Sequence, residues 1–259
     1  MRKEAWTYSL TGAILGAFGL LLRWLQWQMI YEEETGLPIQ NAPVSYLLVV
    51  FLIAAAAGLW VLSGRLGADH SAAEPEQAMA ITNRIVGVLL AVAALAAGAG
   101  ALLMVLTEES FVMRFAALLG VVAAAVLALY SSLSRWGGFG AFLSLVPVIF
   151  FSVWIVIFYK DNSVNPVVWS YAMQILAIAA CLFAVYRLCG YLFYRIQSRR
   201  SVFACALAEM LCLCTLMDDT SLGSRVLFAG WAVGCGVMCW VLWRNMVLPE
   251  EQQAAPEAE

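Results

Sequence analysis

Four side chains in otherwise apolar surroundings carry most of the chemistry this sequence offers: Glu209, Arg187, Arg23 and Gln174. An ionisable group in hydrocarbon is expensive, so such residues face a bundle interior, a partner charge or a water-filled site. Glu209 lies eight residues into the apolar run 201–217, near mid-depth, and glutamate is too short to snorkel far. A carboxyl there can answer to a proton or a cation. Arg187 stands eleven residues before Ser198 and Glu209 eleven after it, so a hairpin centred there makes an ion pair available. The other reading is that the Arg187 guanidinium snorkels to the headgroups. Arg23 and Gln174 share a depth near the opposite side. Either they form a polar pocket with Gln26 and Gln28, or Arg23 belongs to an interfacial belt with Trp24 and Trp27.

Other chemistries fail on residue type. The single histidine, His70, stands in a polar loop, so a paired-histidine zinc motif cannot be built. No phosphate-cradling lysine loop or dinucleotide glycine fingerprint occurs, and Gly-Gly-Phe-Gly at 137–140 reads as a turn. A serine nucleophile lacks a base, and no aspartate lies inside an apolar run. The seven cysteines (Cys181, Cys189, Cys205, Cys212, Cys214, Cys235, Cys239) all fall in the last three runs. They read as free thiols serving as small apolar side chains. Cys235 and Cys239 are one turn apart, but no histidine or carboxylate shares their helix. Nothing implies a metal or another cofactor, and an enzyme ranks behind transport and structural roles.

The elements that must position these groups follow from composition. The 259 residues are 64% hydrophobic and 12% charged, with mean hydropathy +0.87. A soluble domain is about 45–50% apolar and about 25% charged, so the expected class is an all-α integral membrane protein. A net charge of −3 argues against nucleic acid as a partner. Eight apolar runs are expected to span: 8–30, 44–63, 85–106, 114–132, 139–159, 166–190, 201–217 and 223–243. Together they make residues 1–248 one transmembrane domain, followed by an acidic disordered tail over 249–259. The first run exceeds an ordinary signal-peptide core, so it is expected to remain as a span.

Eight spans place both termini on one side. That side carries Arg2, Lys3, Arg65, Arg84, Arg135, Arg195, Arg199, Arg200 and Arg244, whereas the other has Arg114, Lys160 and Arg225. This nine-to-three bias makes the termini cytoplasmic. Small residues four apart, as in Gly12/Gly16, Ala93/Ala97/Ala101, Ala116/Gly120/Ala124 and Gly230/Gly234, should let helices approach closely. Pro147 should kink the fifth span by freeing a carbonyl one turn earlier.

The segment from Leu22 through Tyr31-Glu-Glu-Glu-Thr-Gly-Leu-Pro38, with Asn165-Pro-Val-Val-Trp-Ser-Tyr171 later, resembles a group of uncharacterised multi-pass membrane proteins from clostridial bacteria. The resemblance implies a bacterial plasma membrane and no site residues. The function expected is a bundle that transports or binds an ion or small molecule through Glu209, Arg187, Arg23 and Gln174. The alternative is a structural or signalling membrane protein acting through partner contacts. Whether Glu209, Arg187 or Arg23 lines a water-accessible cavity separates the two.

Overall fold

A computed structural model describes residues 4–30, 42–64, 75–165 and 167–246, and among them there is helix but no strand. Glu32–Glu34, His70 and the tail 249–259 lie outside the described residues. Leu-, Ala- and Val-rich runs form helices here because a helix satisfies its own backbone polar groups in lipid. The helices are α1 (Glu4–Ile30), α2 (Pro43–Ser63), the single turn α3 (Pro75–Ala78), α4 (Arg84–Thr107) and α5 (Phe111–Leu133). They continue as α6 (Gly137–Leu143), α7 (Leu145–Asn162), α8 (Ala172–Leu192), α9 (Ser198–Cys214) and α10 (Leu222–Arg244).

Seven helical stretches are long and apolar enough to cross a membrane. The chain is an all-helical membrane protein. Six of the stretches correspond to α1, α2, α4, α8, α9 with its terminal turn, and α10, while the remaining one is the 52-residue segment Phe111–Asn162. A straight helix of that length would measure about 78 Å, against a hydrocarbon core of about 30 Å. It is not straight. A short 3₁₀ turn, Ser134–Trp136, leads to Gly137 at φ 55° and ψ −134°, a conformation open to glycine because it lacks a Cβ. The chain folds back there, and α7 packs against α5. Helix α6 ends at Leu143 and α7 begins at Leu145. This break lies one turn before Pro147, whose ring nitrogen cannot donate to the Leu143 carbonyl.

The interior sits around the last helices. The α10 segment is 78% buried, whereas that of α2 is only 28% buried, so α10 is central and α2 peripheral. Helices α4 and α10 meet backbone to backbone. A Cβ on Gly230 would lie 2.7 Å from the Ala93 carbonyl oxygen, and one on Gly100 would lie 2.8 Å from the Leu227 Cα. Close packing of this kind is the main attraction between helices in lipid. Elsewhere on α10, Trp231 meets Phe151 of α7 edge-on at 4.8 Å and Phe228 stacks with Trp154 of α7 at 5.2 Å, while Phe150 packs against Phe151 and Trp154 within α7. The outward faces remain apolar, with Leu95, Leu106 and Ile53 well exposed, as contact with acyl chains requires.

Candidate functional site

One face of α1 organises the candidate site. Tyr8, Gly12, Gly16, Gly19, Arg23 and Gln26 are all buried. Their spacing of three or four residues puts them on one stripe. The stripe lies along α9 in parallel register: Gly12 beside Glu209, Gly16 beside Met210 and Leu213, and Gly19 beside Cys214. Arg23 then reaches Asp218, just past the end of α9. Three glycines bring the helices close, and charges occupy the positions that the glycines leave free.

At one end the charges are matched. Arg23 Nε donates to Asp218 Oδ1 at 2.6 Å, with the two side chains only 2% and 0% exposed. The rest of the guanidinium is also engaged. Nη1 donates to Gln26 Oε1, and Nη2 donates to the Trp169 carbonyl at 2.7 Å. Gln26 Nε2 in turn donates to Ser45 Oγ at 3.1 Å, which ties in α2. The side chains of Trp27 and Gln174 lie beside the Asp218 carboxylate, and Arg225 donates to the Asp218 backbone carbonyl at 3.0 Å. Burial pushes the Asp218 carboxyl above its ordinary range, and the Arg23 guanidinium opposes that push. The charge on Asp218 therefore depends on Arg23. Contacts from α1, α2, α8, α10 and the end of α9 converge here.

Near the middle of α9 the situation differs. Glu209 is 7% exposed, and its Oε2 has no hydrogen-bond partner among the described residues. The carboxyl is clasped between two glycines. A Cβ at Gly12 would lie 2.7 Å from Oε2, and one at Gly236 of α10 would lie 2.8 Å from Cδ. Cys205 and Cys239 neighbour it. Ser9 Oγ, close by on α1, donates to the Gly236 carbonyl at 3.0 Å. The arrangement can hold a neutral acid or a bound ligand, because a bare carboxylate would lack the donors it needs.

Comparison with known proteins finds no family model, curated protein or solved structure that matches this chain.

The residues singled out in the sequence separate into three places. Arg187 does not pair with Glu209: its Nη2 donates to Gln197 Oε1 and its guanidinium carbon lies 5.6 Å from the Phe183 ring centre. The guanidinium reaches the end of α8 because its long stem can snorkel there. Arg23 is not a belt arginine. It is buried with Gln174 around Asp218, which lies just past the apolar run 201–217 and was not among the four residues singled out in the sequence. The signal available for it was the unmatched charge on Arg23, but 195 positions separate the two residues. The thiols are free and buried; Cys181 and Cys212 come within 3.2 Å between α8 and α9. No cluster of three or more His, Cys, Asp or Glu among the described residues is arranged to hold a metal ion.

Proposed function

We propose that this chain is an eight-span bundle that binds or transports an ion or small solute, with Glu209 as the group that takes it. One observation carries this reading: Glu209 is a buried carboxyl in the middle of a membrane helix, with no counter-charge within ion-pair distance among the described residues. An acid there weakens a purely structural bundle, since burial without partners costs free energy that a leucine or glutamine would avoid. A ligand offers a reason to keep it. Arg23 and Gln174 serve this reading by anchoring α1 beside the site, and Arg187 by anchoring the far end of α8.

The count of eight is supported by packing direction. Helices α1 and α9 run parallel, while α1 and α10 run antiparallel, with Trp6 against Trp240 and Ser9 against Gly236. A parallel α9 needs an odd number of crossings between it and α1. Counting the 52-residue segment as two crossings gives five; counting it as one gives four. Both termini then share a side, which the basic residues make cytoplasmic. The bacterial plasma membrane enters the reading through the sequence resemblance alone.

The test is flux or binding by purified protein in proteoliposomes across classes of ions and small solutes. The expected result is an activity that Glu209→Gln removes while the melting temperature is retained. Activity unchanged by that substitution, or no activity in any class, would overturn the reading. A partner-contact role is the second reading. A polar recess lined by Glu76, Thr82, Ser131, Ser132, Ser134 and Arg135 favours it, and it predicts the no-activity outcome.

A further inference from the structure

Resting on the reading of Glu209 as the ligand-taking group, we infer that its ligand is a proton, and that this proton holds α1 against α9 and α10. The surroundings exclude a hard metal cation by their chemistry. Calcium takes six to eight oxygen ligands and magnesium demands a near-octahedral oxygen shell. Around the Glu209 carboxyl the structure places glycines and thiols instead: Gly12, Gly236, Cys205 and Cys239. The nearby Ser9 hydroxyl is already engaged with the Gly236 carbonyl. A proton needs no such shell. It converts the carboxylate into a neutral acid that packs between two glycines.

The same geometry couples the proton to helix packing. Even a single Cβ at Gly12 or Gly236 would crowd the carboxyl. The carboxylate, by contrast, demands hydration once the proton leaves. Room for water comes from parting α1 or α10 from α9 at these glycines. The titratable neighbours are Cys205 on the same helix and Cys239 on α10, with Cys235 of α10 and Tyr8 of α1 lying beside those two thiols. Among the described residues the sole ion pair is Arg23–Asp218, so no cation stands in for the proton at Glu209.

Dicyclohexylcarbodiimide tests this directly, because it adds to a neutral carboxylic acid in apolar surroundings and leaves a stable N-acylurea. Full-length protein in nanodiscs is treated at mildly acidic and at alkaline pH, in sodium chloride or choline chloride, and the adduct is mapped by mass spectrometry. The expected result is a Glu209 adduct that falls several-fold at alkaline pH, is equal in the two salts, and is missing in Glu209→Gln. Protection of α1 amides against hydrogen exchange, taken relative to their intrinsic base-catalysed rates, should fall at alkaline pH in the unsubstituted chain and not in Glu209→Gln. No adduct at acidic pH, or protection by sodium that choline does not give, would overturn the inference. Sodium protection would leave the ion-binding reading standing. Labelling as expected without flux or binding of any ion or solute would instead sink that reading and leave the proton site.

Discussion

Two buried carboxyls flank the last turns of α9 and face the same stripe of α1, yet they are treated in opposite ways. Asp218 meets a guanidinium at 2.6 Å, inside a shell that draws on five helices. Glu209, nine positions earlier, meets two glycines, and one of its oxygens has no partner. Both are buried, so each must be taken out of water. Where the charge is matched, the group is explained as a staple that brings helix ends together. Where it is not, packing gives no reason for the acid, and the proposed ligand role rests on that difference. The difference therefore separates architecture from chemistry within a single helix pair.

The largest effect should come from breaking the matched site on one side. Arg23→Gln leaves Asp218 buried without its cation, and such a loss costs about 3–5 kcal/mol. It should appear as a marked fall in melting temperature in detergent. Arg23→Met combined with Asp218→Leu removes both charges and should recover much of the loss. If the double substitution is as damaging as the two singles added together, the pair is not a coupled unit. A middle-sized effect is expected at the glycines. Gly236→Ala pushes a methyl group against the Glu209 carboxyl, an overpacking cost of about 1–3 kcal/mol. Adding Glu209→Ala should relieve it, and the cycle of the two reads the contact itself. The smallest effect belongs to Arg187. Its guanidinium sits with Gln197 near the helix end, so Arg187→Met should change stability by about 0.5 kcal/mol or less. Its combination with Glu209→Gln should be additive, as for residues that share no partner.

The helical class and the boundaries of most spans were legible because hydropathy in lipid acts on each segment independently. The break before Pro147 was legible because it depends on one residue's own backbone. Gly-Gly-Phe-Gly, read as a turn, instead opens helix α6, and the turn lies before it at Ser134–Trp136 with only Gly137 in a turn conformation. The pairing of Arg23 was not. Which acid meets it depends on how α1 docks against α9, and the stripe of Gly12, Gly16 and Gly19 that sets this docking shows up only when read together with Tyr8 and Arg23. The equal spacing of Arg187 and Glu209 about Ser198 suggested a pair, but equal depth is only one of the conditions for contact. Arg187 found Gln197 by extending along the helix end, while Glu209 turned towards α1 and α10. Helix rotation decided the matter, and rotation is set by small-residue contacts between segments distant in sequence.

One comparison tests the central claim most directly: the melting temperatures of Asp218→Asn and Glu209→Gln, measured side by side in the same detergent at neutral pH. Each exchange replaces a carboxyl by an amide of nearly equal size, so volume is held constant and only the acid is removed. The account predicts a large loss for Asp218→Asn, because Arg23 is left buried without its anion, and no loss or a gain for Glu209→Gln. Equal losses at the two positions would contradict it, since Glu209 would then be as much a part of the architecture as Asp218.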